Sequence, residues 1–205
     1  MYVLTLNQRG PRAAGDPATE LVKALRHLPA LVPFQRSAGG GAIGVVTDPE
    51  TAVHAALAAL RRRWQVGIGA APVHRQLPDT AGEVRGPGLA YARTAADRAR
   101  KTGGRVPLAV AGPGPEAAAD AEAVLRLLGG IVAGRTEAEW KVLDLLTPGA
   151  RGQQRLVAQE LGITSQAVSN AVIRSRWAEE WACRPAAARL LRLAQGPPQA
   201  GAVCS

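Results

Sequence analysis

The stretch QRLVAQELGITSQAVSNAVIR, running from Gln154 to Arg174, decides how the second half of this chain is read. It has the stereochemistry of a helix-turn-helix. Ala158 is small where two helices must approach closely, and Gly162 falls just past the first helix, where a left-handed residue is needed. Ile163 is placed to fill the corner, and Thr164 suits the N-cap of the second helix. Val157, Leu161, Val168, Ala171 and Val172 form the apolar seam between the pair. Ala, Gly and Val thus take the fifth, ninth and fifteenth places of a twenty-residue unit, a combination few other folds require.

The second helix carries Ser165, Gln166, Ser169 and Asn170 on its N-terminal half, short polar side chains that suit base edges and phosphates in a major groove. Its N-terminus offers amides to a phosphate. Arg174 and Arg176 at the far end, and Arg151 and Arg155 near the first helix, are spaced to neutralise backbone phosphates. The expected DNA-contacting set is therefore Thr164, Ser165, Gln166, Ser169, Asn170, Arg174, Arg176 and Arg155. A plain three-helix bundle that binds protein, or nothing, also shows small polar residues outside, so the pattern alone leaves that alternative open. The outer acids Glu137 and Glu160 are too few to repel a duplex, and Glu179 and Glu180 are expected to face away from it.

Working outward, Thr136-Glu137-Ala138-Glu139 matches a capping box, with a Thr hydroxyl for the third amide and a Glu that reaches back. It opens a helix to about Leu146 that buries Trp140, Val142, Leu143 and Leu146, and Pro148-Gly149 stops it. Downstream, Arg184-Pro185 reads as the start of a final helix with Leu190, Leu191 and Leu193 apolar. Completing the bundle is its expected role, with pairing to another subunit as the alternative. Residues 135–195 thus read as an all-α domain, and residues 196–205, with Cys204, as a disordered tail.

Upstream of Gly134-Arg135 the character changes. Strands are expected at residues 2–6, 31–37, 42–47, 64–70 and 106–111, with Gly39-Gly40-Gly41 supplying a hairpin turn between the second and third. Gly10-Pro11 and Gly15-Asp16-Pro17 read as chain breaks. Helical spacing covers residues 19–28, 50–63, 89–101 and 116–132, the second opened by Asp48-Pro49-Glu50. The order β-α-β-β-α-β followed by α-β-α describes a ferredoxin-like split βαβ sheet with helices added. The expected fold is therefore α+β, a ferredoxin-like βαββαβ sheet domain (1–134) followed by an all-α helix-turn-helix domain (135–195).

The composition narrows the function. The chain has 205 residues, 47% hydrophobic and 20% charged, which provides enough apolar material for a core and excludes a wholly disordered chain. Aromatics are 3%, too few to stack single-stranded nucleic acid. The formal charge of +9 favours a polyanionic partner, although the preference for Arg over Lys and the abundance of Ala are also what a GC-rich genome writes into any protein. Cys183 and Cys204 lack metal-ligand spacing, so neither a disulfide framework nor a metal site is expected, and a reducing cytoplasm fits. Neither a signal peptide nor a run of about 18 apolar residues is present, so a membrane location is not expected.

The chain resembles the SatD-like family of bacterial proteins. The pieces that carry the resemblance are Asn7-Gln8-Arg9 after the first strand, Phe34-Gln35-Arg36-Ser37-Ala38-Gly39 and Trp64-Gln65-Val66-Gly67-Ile68-Gly69. Arg85-Gly86-Pro87-Gly88-Leu89-Ala90-Tyr91-Ala92-Arg93 and the helix-turn-helix complete it. The N-terminal half is also similar to the palm of nucleotide cyclases and GGDEF proteins, a resemblance that implies metal-binding acids on the first strand and at the hairpin turn. Here Leu4-Thr5-Leu6-Asn7 and Gly39-Gly40-Gly41 supply none. Two divalent ions would lack charged ligands there.

No enzymatic activity, catalytic residue or cofactor is therefore expected. His27, His54 and His74 are scattered, and Arg61-Arg62-Arg63 reads as a helix end that complements the dipole. The expected function is a DNA-binding transcriptional regulator whose partner is double-stranded DNA. Its sheet domain would provide dimerisation or sense a small-molecule or nucleotide effector. A homodimer is expected because one helix-turn-helix buries too little duplex for specific binding. The alternatives are a nucleotide-binding sensor, degenerate and cyclase-like, using Arg85, Arg93 and the glycines of Gly86-Pro87-Gly88, and a protein-interaction module.

Overall fold

The computed structural model describes residues 1–8, 16–37, 39–72, 86–101 and 106–196. Five strands, β1 (Tyr2–Gln8), β2 (Val32–Ser37), β3 (Gly41–Val46), β4 (Trp64–Ala70) and β5 (Leu108–Ala111), form one mixed sheet in the order β2-β3-β1-β4-β5. β1 runs antiparallel to both neighbours, and β4 pairs parallel with β5 across the crossover helix α3 (Pro87–Lys101). The protein is α+β. The expected strands all form, shifted at their ends by one or two residues.

The two faces of the sheet are sorted by the period-2 alternation of the strands. Tyr2, Leu4 and Leu6 of β1, with Val66, Ile68 and Ala70 of β4, point into the main core. That face is covered by α1 (Pro17–Leu25), α2 (Pro49–Arg61) and α4 (Pro115–Gly134). Val3, Val32, Ile43 and Val45 lie on the opposite face with Ala92 of α3. A register shift in β2 between Val32 and Gln35 lets Val32 join one core and Phe34 the other.

Helix α3 lies unusually close to β4, and the residue choice shows why. A Cβ at Gly69 would sit 2.1 Å from the carbonyl oxygen of Gly88, and one at Gly67 would sit 2.5 Å from the amide of Ala96. The helix answers with small buried residues, Gly88, Ala92, Ala95 and Ala99. Thr5 Oγ1 donates to the Ala92 carbonyl at 3.1 Å and ties the central strand to the same helix.

Asp16-Pro17 does more than break the chain. Asp16 accepts the Thr19 amide at 3.3 Å as the N-cap of α1, and Pro17 fills the first turn. Asp48-Pro49 repeats the device for α2, with Asp48 Oδ2 accepting the Thr51 amide at 2.8 Å. The Arg9 and Ala38 positions, residues 73–85 with Arg85 and His74, and the tail beyond Gly196 lie outside the described residues.

Three further helices, α5 (Glu137–Leu143), α6 (Gln153–Leu161) and α7 (Ser165–Arg174), surround a second small core of Val142, Val157, Ala158, Val168 and Ala171. The last helix corrects the sequence reading. α8 spans Trp177–Ala194, so Arg184-Pro185 lies inside it and does not start it. Its C-terminal half, with Ala187, Ala188, Leu191 and Ala194, is buried in the main core and packs on α4 and α2. It therefore does not simply complete the small bundle. Burial of that Ala/Leu face offsets the roughly 3 kcal/mol that an interior proline costs a helix.

Candidate nucleic-acid interface

The helix pair is set by the residues that its sequence singled out. α6 ends in a Schellman arrangement: the Ile163 amide donates to the Ala158 carbonyl at 3.0 Å and the Gly162 amide to Gln159 at 3.3 Å. Gly162 takes the left-handed conformation this needs, at φ 63°. Thr164 then caps α7, its Oγ1 accepting the Ala167 amide at 3.1 Å. That hydroxyl is committed as an acceptor, but its own proton stays available to a phosphate. Ile163 does not fill the corner: it is 40% exposed, and the seam is closed by Val157, Val168 and Ala171 with Leu161 and Val172 packed against them.

Two further restraints hold the unit from outside. The capping box forms, with Thr136 Oγ1 accepting the Glu139 amide at 3.2 Å and Glu139 Oε2 accepting the Thr136 amide at 2.8 Å. The Gln153 side chain stitches the loop before α6, accepting from Thr147 N at 2.7 Å and donating to Thr147 O at 2.7 Å and Ala150 O at 3.0 Å.

Helix α7 packs on α5, α6 and α8 and turns its other side outward. Gln166 and Asn170 are exposed one turn apart, and Gln166 Nε2 donates to Asn170 Oδ1 at 3.1 Å. This bond leaves the Gln166 carbonyl and the Asn170 amide unspent, a donor and an acceptor fixed side by side as an adenine edge requires. Ser165 is exposed beside them and Ser169 is half-buried on the same stripe.

The arginines divide into two groups. Arg151 and Arg155 line one groove together with Ser165 at the start of α7. Arg174 and Arg176 are exposed at its other end. Arg174 approaches Glu139 at 3.9 Å, but its side chain is 72% exposed, so that pair is weak and easily exchanged for a phosphate. Arg176 adopts φ 52° in the turn that swings the chain from α7 into α8.

Two observations lie outside the sequence reading. Ile173, 68% exposed, continues the stripe of Gln166, Ser169 and Asn170 at helical spacing. The i, i+3, i+4, i+7 spacing from Gln166 carried that signal. Glu180, expected to face away from the duplex, is completely buried. It accepts from Arg135 Nη2 at 3.2 Å and from Arg184 Nε. Arg135 also donates from Nε to the Ser175 carbonyl at 3.0 Å, and its guanidinium lies 4.9 Å over the Trp140 ring. Burial lowers the pKa of this guanidinium, and the Glu180 carboxylate partly restores it.

The glycines of the alternative nucleotide site have structural employment. Gly86 takes φ 90° at the turn into α3, and Gly88 packs against Val3 and Met1. Arg93 is exposed on α3. No protein family, no curated protein and no solved structure matches this chain.

Proposed function

We propose that this chain is a sequence-specific, double-stranded DNA-binding transcriptional regulator that reads the major groove with α7. The observation that carries the reading is the outward stripe of Gln166, Ser169 and Asn170, held clear of the sheet on a rigidly cornered helix pair. Gln166 and Asn170 are the base readers, and Arg155, Arg174 and Arg176 contact phosphates on either side. The strand order β2-β3-β1-β4 supports taking the first unit as a ferredoxin-like βαββαβ sheet extended by β5. The separate small core of α5–α7 supports a helix-turn-helix unit attached to it. A SatD-like cytoplasmic protein acting as a homodimer on two half-sites completes the proposal.

The test is a binding-site selection followed by gel shifts at several salt concentrations. Gln166→Ala with Asn170→Ala is expected to erase sequence preference while leaving non-specific binding in place. Arg174→Ala is expected to lower affinity for every duplex and reduce the slope of log K against log salt by about 0.9. Absence of duplex binding at low salt, or undiminished selectivity in the double variant, would overturn the assignment.

A further inference from the structure

A cleft of about 240 Å³ lies where α1 and α2 of the sheet layer meet the end of α4, α5 and α8. Its lining is out of character with the rest of the protein. The whole chain has four tryptophans and three histidines, and Trp140, Trp177, Trp181, His27 and His54 all converge on this one place. The remaining tryptophan, Trp64, shows what a packing residue looks like here, at 3% exposure. The five residues of the cleft are all at least partly open to solvent. The rings meet edge to face: His27 to His54 at 5.8 Å, His54 to Trp181 at 6.4 Å and Trp177 to Trp181 at 6.3 Å.

Charge gives the cleft a sign. Arg61, Arg62, Arg135 and Arg184 line it against two acids, Asp144 and Glu180. Both acids are already committed. Arg61 holds Asp144 through two bonds of 2.6 Å, and Glu180 is taken by Arg135 and Arg184. Arg62 donates to the Ala58 carbonyl at 3.1 Å and makes no salt bridge among the described residues, although the charge of Asp144, already paired with Arg61, reaches it. The His54 imidazole is half-buried, and burial, Arg184 and His27 together favour its neutral form, which can still donate a ring N–H to an anion.

We propose that this cleft is a binding site for a small aromatic carboxylate. The carboxylate pairs with the Arg62 guanidinium and the imidazoles of His27 and His54, and the ring lies against the edges of Trp177 and Trp181. The volume sits below the roughly 300–1,000 Å³ of sites for drug-sized ligands, which restricts the occupant to about one ring and its acid group. The committed acids leave no carboxylate free to favour a cationic ligand, and the tryptophan edges favour an aromatic ligand over a bare anion. Because the walls come from both α2 and α8, an occupant bridges the sheet layer and the helix that follows α7. The site is independent of whether α7 binds DNA.

The experiment titrates the full chain with phenylacetate, phenylacetamide and inorganic phosphate, following the His27 and His54 ring resonances and the tryptophan fluorescence. Phenylacetate is expected to bind saturably and shift both histidine signals, with the neutral amide at least about tenfold weaker. Arg62→Gln, on an exposed side chain, is expected to remove that preference for the acid without changing the melting temperature. Trp181→Leu is expected to weaken acid and amide alike. The proposal is overturned by no saturable shift up to about 10 mM, by equal affinity for acid and amide, by phosphate binding as well as phenylacetate, or by an Arg62→Gln protein that keeps the preference.

Discussion

Removing the Glu180 carboxylate should be the most damaging single change at the junction between the two cores. Glu180 is 0% exposed and Arg135 is 2% exposed, so neither charge has water to fall back on. Arg184, at 16%, can turn partly outward when its partner is lost, whereas Arg135 stays pinned by its bond to Ser175 and by the Trp140 ring. Glu180→Ala therefore leaves a buried guanidinium uncompensated, a change that costs about 3–5 kcal/mol. In a chain of this length each kcal/mol lowers the melting temperature by about 2–4 °C, so a fall of roughly 6–20 °C is expected. The assay is urea unfolding followed by tryptophan fluorescence and far-UV circular dichroism, with Arg135→Met and the double variant completing a cycle. The double variant should recover at least about 2 kcal/mol relative to the sum of the single changes, since replacing Arg135 as well removes the buried charge that Glu180→Ala leaves uncompensated. A Glu180→Ala protein within about 1 kcal/mol of the parent, or strictly additive single changes, would refute the argument that this pair closes the junction.

Three smaller perturbations separate strain, packing and protonation. Gly162→Ala places a Cβ in open space at φ 63°, so only the left-handed penalty applies, and a loss of about 1–2 kcal/mol in urea unfolding is expected. Gly69→Ala has no conformational penalty of that kind but drives a Cβ to 2.1 Å from the Gly88 carbonyl. It should cost about 2–3 kcal/mol and shift the amide resonances of α3. The His54 pKa is lowered first by burial and then by Arg184 and His27, so the unfolded chain takes up the proton at higher pH than the folded one. Its contribution is complete above the unfolded value of about 6.5 and declines as pH falls from there toward the folded pKa. An NMR titration should place the His54 midpoint below that value, and a midpoint at or above it would contradict the burial argument.

Much of the fold is legible in the sequence because the signals are local. The alternation of β1 and β4, the Asp-Pro pairs that open helices, and the Ala158, Gly162 and Val168 spacing each specify a structure within a dozen residues. The burial of Glu180 and the place of Pro185 inside α8 are not legible locally because their environment is set by residues far away in sequence. The partner of Glu180 is Arg135, 45 positions distant, and nothing in Glu179-Glu180 signals that one acid faces water and the other does not. Pro185 reads as a helix start by local rules, and only the packing of Ala187, Ala188 and Leu191 on α4 keeps the helix running through it. The convergence of His27, His54 and three tryptophans is illegible for the same reason, since those residues come from the turn after α1 and from α2, α5 and α8.

The path of α8 gives the junction its consequence. This helix begins one residue after the turn at Arg176 that ends α7 and finishes buried in the main core, so one element contacts α7 and packs under the sheet domain's helices. A rotation of α7 relative to the sheet must therefore bend α8 or break the contacts at its start, where Glu180, Trp181 and Arg184 sit. Pro185 lies just beyond that cluster, and a residue without a backbone N–H is where a helix bends most cheaply. Rigid packing below the proline and a charged, aromatic, partly open cluster above it concentrate any such bend at one place. The outward stripe on α7 is thus tied to the sheet domain through the side chains at the start of α8 as well as through the small core of α5–α7.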